Sequence, residues 1–246
     1  MNKPENLELL KNGKRNDGRA AEELRPIEME AKVITSADGS AKVKFGNTIA
    51  LASVYGPRAL FPRFMQEAET GILRARYNMA PFSVVDRKSP GPDRRSTEIS
   101  KVVRLALAPS VLLEDFPKAT VDVFMEVIQA DGSTRVTALN AAAIALATAG
   151  IPMRDLVSAV SCGKIDTTLV ADLNGLEDNF GEADMAVAML PSKNEISLLQ
   201  MDGLITNEEF FKLLSLAKEK CLEIYEKQKS VLKNLYKVEK EDSDGS

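Results

Sequence analysis

Ala138 to Ala149 is apolar nearly all the way round a helical wheel and rich in alanine. A helix without a polar face cannot lie on a surface, so the rest of the chain has to enclose it. Gly150 and Pro152 end it, the first as a left-handed cap and the second as a break. The unbroken apolar stretch Ala141 to Ala149 falls far short of the ~20 residues that span a bilayer. The segment therefore predicts a core helix in a soluble domain.

The surrounding sequence supplies the enclosing elements. Strand-like segments are Ile27 to Thr35, Ala41 to Phe45, Thr48 to Tyr55, Gly71 to Met79 and Thr120 to Ile128. Gly46-Asn47 joins the second and third as a two-residue hairpin, and Gly56-Pro57 is expected to end the third. Four more strands read at Leu156 to Cys162, Thr167 to Leu173, Met185 to Leu190 and Glu195 to Leu199. Ile99, Val102, Val103, Ala106 and Leu107 repeat at helical spacing behind a cap at Ser96 or Thr97. Thr206 with Glu209 forms a capping box for a long C-terminal helix. Strand groups alternate with single helices, and the hairpin signals point to antiparallel pairing. The fold class is α+β, with mixed or antiparallel sheets under packed helices. The plan of strands then helix occurs twice, without a residue-level repeat.

Among 246 residues there is no histidine. This excludes Ser-His-Asp and Cys-His triads, His-ligated zinc and imidazole acid–base catalysis. Cys162 and Cys221 lie far apart, so neither a disulfide framework nor a thiolate zinc site is expected. The opening segment Met1 to Lys14 is polar and charged, without an apolar signal core, and a cytoplasmic protein with no membrane association is the expectation. Chemistry is left to carboxylates, arginines, lysines, hydroxyls and backbone amides.

Net charge is only −4, but its distribution is uneven. Eight of the chain's 13 arginines fall between Gly56 and Arg104, whereas Asp166 to Asp184 carries six carboxylates and no Lys or Arg. A basic block beside an acidic one suits a phosphate-rich ligand with a metal or proton donor nearby; an ordinary mixed surface is the other reading.

Three segments could carry chemistry. Asp131-Gly132-Ser133-Thr134-Arg135 lies between a strand and the core helix, where backbone N–H groups, hydroxyls and a guanidinium could hold phosphate. An ordinary capped turn would read the same way, but Arg135 at a positive helix end asks for an anion. Arg94-Arg95, before Ser96-Thr97, repeats that anomaly; the pair either grips a phosphodiester or is solvated and partnered by Asp93 and Glu98. In the third segment, Asp178 and Asp184 stand at the two ends of a strand connection and can converge. They could hold Mg²⁺ with water, share one proton at raised pKa, or simply form a solvated acidic turn.

In this order the motifs resemble the RNase PH family, over about Asn16 to Tyr236. Asn16-Asp-Gly-Arg19 with Arg25-Pro26 looks like its opening motif, and Phe45-Gly-Asn-Thr48 is similar to its first hairpin turn. Gly91-Pro-Asp-Arg-Arg-Ser96 with Glu98-Ile-Ser-Lys101 resembles its RNA-contacting arginine segment. Gln129 to Arg135 resembles its phosphate loop, and Glu177-Asp178 with Gly181-Glu-Ala-Asp184-Met its catalytic acidic segment. Gly56 to Arg63 looks like the loop at the RNA-entry side of exosome subunits, and the short Gly150 to Asp155 link lacks the insertion of the bacterial enzyme. Scaffold subunits lose the Arg and Asp positions, which this chain keeps.

The resemblance implies the RNase PH fold, like domain 2 of ribosomal protein S5, over 16–236, after a flexible arm at 1–15 and before a disordered charged tail at 237–246. It implies the catalytic subunit of an exosome ring, most like the archaeal one: a 3′→5′ exoribonuclease in which inorganic phosphate is the co-substrate and nucleoside diphosphates are released. The implied roles are Asp178 and Asp184 for catalysis and for Mg²⁺; Gly132, Ser133, Thr134 and Arg135 for phosphate; and Arg63, Arg94 and Arg95 for RNA. The implied partners are single-stranded RNA 3′ ends, a paralogous non-catalytic subunit in a hexameric ring of three heterodimers, and RNA-binding cap subunits. A stand-alone enzyme trimming tRNA 3′ ends and a non-catalytic RNA-binding ring subunit are the alternatives.

Overall fold

The computed structural model describes residues 9–11 and 13–237. The core helix, α2, is longer than its alanine-rich part, running Thr134–Thr148. Its start lies four residues earlier than expected because Ser133, in a left-handed conformation (φ 56°), turns the chain directly from strand into helix. All of its residues except Arg135 and Ala147 are buried.

Two sheets enclose α2. The first is built of β3 (Ile27–Ala31), β4 (Gly39–Phe45), β5 (Thr48–Ala59), β6 (Ile72–Met79) and β7 (Ala119–Gln129), in the order β3-β4-β5-β7-β6. Neighbours are antiparallel except β6 and β7, which run parallel. Helix α1 (Arg94–Leu107) makes their crossover. The second sheet, antiparallel throughout, holds β8 (Ser158–Ile165), β9 (Thr168–Ala171), β10 (Ala183–Leu190) and β11 (Glu195–Gly203), in the order β11-β10-β8-β9. One continuous hydrophobic core joins Val43, Phe45 and Met125 on the first sheet, Leu139 and Ile144 on α2, and Val160 and Val187 on the second. Contact with the first sheet is close: a Cβ on Gly39 would lie 2.3 Å from the carbonyl oxygen of Ala145, which is why small residues line both surfaces.

Helix α4 (Asn207–Leu235) covers the second sheet, burying Leu213, Ala217, Cys221 and Ile224. Its expected capping box is present: the Glu209 N–H donates to Thr206 Oγ1 at 3.3 Å and the Thr206 N–H to Glu209 Oε2 at 2.8 Å. Both cysteines are free and buried, and burial pushes the Cys221 thiol up to about 12. Among the described residues no helix is long and apolar enough to cross a membrane.

Several boundaries differ from the sequence expectation for local reasons. Strand β5 does not stop at Gly56-Pro57. Those two residues form an irregularity in register between Tyr55 and Arg58, after which Arg58 and Ala59 pair with Thr120 and Ala119. Helix α1 is capped by Asp93 rather than Ser96 or Thr97, because the Asp93 carboxylate accepts from the Ser96 N–H at 2.6 Å. Ser96 instead returns the bond as the third residue of a capping box. The arm expected at 1–15 is packed where it is described. Strands β1 (Leu10–Lys11) and β2 (Lys14–Arg15) pair as a ribbon, and Leu9 and Arg15 are buried. Leu9 fills a small second core with Ile165, Val170 and Leu173. Of the expected tail at 237–246, all but Lys237 lies outside the described residues.

Candidate active site

Two loops meet at the ends of β7 and β9. The first, Ala130 to Ser133, leads into α2. The second, Asp172 to Asn174, leads into a six-residue helix, α3 (Gly175–Phe180), which the sequence patterning did not reveal. Asn174 caps α3 by accepting from the Leu176 and Glu177 N–H groups at 3.1 Å each. Glu177 turns inward and is buried, which leaves the next residue, Asp178, directed at the cleft. The loops touch: a Cβ on Gly132 would fall 2.5 Å from the Asn174 carbonyl carbon, and Gly132 adopts φ 71°, so only glycine fits.

The cleft has a volume of about 450 Å³ and is lined mainly by polar groups: Arg95, Arg135, Asp178, Asn179, Asp184, Gln200 and Asp202, with Met201. Four elements besides α3 bring these together, the first being α1, which carries Arg95 on its first turn. Arg135 is on the first turn of α2, Asp184 is at the start of β10, and Asp202 lies opposite Asp184 on β11. A recess of about 330 Å³ continues past Arg95, Asp178 and Asn179 to Lys88, Gly132 and Thr134.

The protein itself supplies part of what Arg135 demands. Its Nη1 donates to Gln200 Oε1 at 2.6 Å, and its Nη2 lies 3.5 Å from Glu98 Oε2. Gln200 Nε2 in turn donates to Glu98 Oε1 at 3.1 Å. The Arg135 Nε is buried without any hydrogen-bond partner. Arg94 and Arg95 are not partnered by Asp93 and Glu98. Asp93 is engaged by the Ser96 N–H and, at 2.9 Å, by Lys88, and Glu98 faces Arg135. The Ser96 N–H first, then Lys88, hold the Asp93 carboxyl down to about 2.

The two carboxylates are shifted the other way. Burial raises the pKa of Asp178, opposed by the nearby charges of Arg95, Arg135 and Arg25. Asp184 is raised by burial first, then by the negative charges of Asp178 and Asp202, with Arg135 opposing. Both acids therefore bind protons more tightly than free carboxyls, in a cleft they share with Arg95 and Arg135.

The structure thus gathers Arg95, Arg135, Asp178 and Asp184 into one cleft, with Gly132 and Thr134 lining the adjoining recess. Thr134 Oγ1 accepts from the buried Tyr77 hydroxyl at 3.0 Å. The Ser133 hydroxyl points elsewhere: it donates to the Leu173 carbonyl at 2.6 Å and bonds to Ser161 Oγ, tying the two loops from beneath. Arg94 is exposed on the first turn of α1, and Arg63 is exposed on a short turn, Arg63–Met65, between β5 and β6; neither lines the cleft. Gln200, Asp202, Asn179 and Lys88 escaped sequence reasoning. Only Lys88 carried a signal, as a member of the basic block. Among the described residues no group of three or more His, Cys, Asp or Glu could hold a metal. Asp178 and Asp184 fit Mg²⁺ only as two donors in a site completed by substrate oxygens and water, the usual manner for this ion at phosphates.

Two family models match the chain that builds this cleft: the 3′ exoribonuclease family, domain 1, over residues 23–152, and its domain 2 over residues 155–220. The chain belongs to the 3′ exoribonuclease (RNase PH) family. The boundary between the two matched regions falls between the two sheets, after α2. Relatives at high identity are the exosome complex component Rrp41 of Thermococcus onnurineus, 56% identical with 96% of this chain and 95% of that protein covered, and of Pyrococcus abyssi, 53% identical with 100% and 99% covered. The exosome of Archaeoglobus fulgidus with RNA bound to the active site shares the RNase PH fold, with a TM-score of 0.78 at 24% identity over 88% of this chain and 93% of that one. Rice Rrp46 superposes with a TM-score of 0.80, also at 24% identity, over 89% and 100%.

Proposed function

We propose that this chain is the catalytic subunit of an exosome ring and shortens RNA from its 3′ end by phosphorolysis. The observation that carries the reading is the convergence of Arg135, Arg95, Asp178 and Asp184 on one polar cleft. Membership of the 3′ exoribonuclease family and the high identity to exosome components support it. The unit that acts is the region 16–236, with Leu9 and Arg15 packed onto it.

The reaction brings one phosphate against another, so like-charge repulsion is the main barrier. Arg135, at the positive end of α2, receives inorganic phosphate, and the orphaned Nε supplies a donor that an oxyanion would satisfy. Backbone N–H groups of Gly132 to Thr134 complete the cradle, while Ser133 serves through its backbone alone. Arg95, then Arg94 and Arg63 further out, hold the backbone phosphates of the last nucleotides. These contacts carry charge rather than base identity, so sequence preference is weak.

A phosphate oxygen attacks the terminal phosphodiester phosphorus, and the bond from that phosphorus to the 3′-oxygen of the preceding nucleotide breaks. Asp178, paired with Asp184, gives its proton to that leaving oxygen, and a nucleoside 5′-diphosphate departs. In place of that proton, a Mg²⁺ held by ionised Asp178 and Asp184 with substrate oxygens would stabilise charge on the leaving oxygen. The reverse reaction extends the RNA. The subunit works in the cytoplasm in a hexameric ring, three heterodimers with a non-catalytic paralogue, carrying RNA-binding cap subunits.

The test uses the full chain, alone and mixed with its paralogous partner, on single-stranded RNA with and without inorganic phosphate and with Mg²⁺ or a chelator. Phosphate-dependent release of nucleoside diphosphates from the mixture alone supports the reading. The same activity from the chain by itself favours the stand-alone tRNA-trimming enzyme. Monophosphates released without phosphate overturn phosphorolysis. Activity unchanged by Asp178→Asn makes this a non-catalytic RNA-binding subunit.

A further inference from the structure

Arg19 and Arg25 of the opening motif, and Arg15 just before it, are not used in the chemistry above, yet all three are buried. Arg25 sits between the two active-site loops. Its Nε and Nη2 donate to the two carboxylate oxygens of Asp172 at 2.9 and 2.7 Å, and its backbone N–H also reaches Asp172 Oδ2, at 2.8 Å. Its remaining nitrogen, Nη1, donates to the Asp131 carbonyl at 2.6 Å. One planar group therefore grips the first residue of the loop before α3 and the first acidic residue of the loop before α2. The Asp131 side chain closes the link, because Oδ1 accepts from the Gly175 N–H at the start of α3 at 2.9 Å. Oδ2 receives Asn47 Nδ2 at 3.2 Å.

Arg15 holds the same turn from the other side. Its Nε donates to Glu177 Oε1 at 2.7 Å, its Nη2 pairs with Glu177 Oε2, and it reaches the carbonyls of Ala171 and Asp172 at 2.5 and 2.8 Å. Arg19 adds a bond to the Asp172 carbonyl at 3.1 Å. None of these arginines lines the cleft or the recess that holds Asp178 and Arg135. A bidentate guanidinium clamp fixes direction as well as distance, which a lysine at the same place cannot do.

We infer that Arg25 and Asp131 are positioning residues that set the phosphate loop of Arg135 against the α3 helix of Asp178. The inference rests on the proposed roles of Arg135 and Asp178. Its physical basis is that attack and protonation must occur on one phosphorus at once, so the distance between the two loops enters the rate directly. Displacements of about 1 Å in such arrangements cost on the order of 100-fold.

The experiment measures kcat, KM for inorganic phosphate and affinity for single-stranded RNA in the ring assembled with the paralogous partner. Arg25→Gln, Arg25→Lys, Asp131→Ala and Asp131→Asn are compared with Arg135→Ala. Expected for Arg25→Gln and Asp131→Ala are a KM for phosphate raised by about 10-fold or more and a lowered kcat, with RNA affinity kept. Asp131→Asn, whose amide oxygen can still accept from Gly175, restores most of the loss, whereas Arg25→Lys does not. If Arg25→Gln does not fold, the Asp131 pair carries the test alone. A lowered melting temperature with kcat and KM of the parent well below that temperature overturns the inference and makes the clamp purely structural. Equal loss in Asp131→Asn and Asp131→Ala also overturns it. Parent-like KM in Arg135→Ala would instead sink the reading beneath it, a result distinct from either.

Discussion

Arg25 and Asp172, 147 residues apart in the chain, form a buried two-point ion pair with bonds of 2.9 and 2.7 Å. Asp172 is fully enclosed and holds a left-handed backbone (φ 54°), a conformation that Asp and Asn tolerate better than other non-glycine residues. Asp172→Asn therefore keeps the backbone and the shape but leaves Arg25 as an uncompensated buried charge. The expected loss is about 3–5 kcal/mol of unfolding free energy, read by urea denaturation. A loss under about 1 kcal/mol would show that the charge is compensated elsewhere.

The raised affinities of Asp178 and Asp184 predict a pH dependence of kcat. A proton donor acts while it is protonated, so activity is present below the pair's apparent pKa and falls as pH rises through it. Arg95 is the largest charge holding the Asp178 pKa down, so removing it moves that limb upward. Arg95→Gln at saturating RNA and phosphate should show its alkaline limb at higher pH than the parent. Phosphate's own titration is common to both profiles and cancels. An unmoved or lowered limb would exclude Asp178 as the donor.

Arg94 and Arg95 occupy the first two positions of α1, and among the described residues neither has a carboxylate oxygen within 4.0 Å. If both hold backbone phosphates, the double change to alanine removes two counterion-releasing contacts. The slope of log affinity against log salt for single-stranded RNA should then fall by about 1.4. Fluorescence anisotropy on two homopolymers measures it, and the loss should be the same for both. A loss confined to one sequence would mean that bases are being read.

Gly132→Ala tests the close approach of the two loops. The added methyl meets the Asn174 backbone at 2.5 Å and has to adopt φ 71°. Strain and overpacking together are expected to cost about 2–4 kcal/mol, with phosphorolysis lost while RNA binding persists. Urea unfolding and an RNA-binding assay check the two halves of that statement. A variant of parent stability and activity would show that the loops separate without consequence.

Much of the architecture could be read from local pattern. The enclosed helix, the alternation in the strands, the Gly46-Asn47 hairpin and the Thr206–Glu209 capping box all depend on residues a few positions apart, where backbone geometry repeats and side-chain period betrays it. Arg135, Asp178 and Asp184 stood out as candidates because charge at a helix start or beside another acid is locally costly. Their convergence was decided elsewhere. Glu98 and Gln200 hold Arg135 from α1 and β11, 37 residues before it and 65 after, and no period links them. The six-residue helix that aims Asp178 is too short to show periodicity, and what keeps it in place is Arg15, 162 residues from Glu177. The orientation of the Ser133 hydroxyl, turned inward by a left-handed backbone, was equally invisible. Sequence alone determined which segments are buried and which residue types are left to do chemistry, because hydrophobic period and local charge are properties of neighbours. Only the tertiary structure decided which charges meet, because an ion pair depends on distance through space.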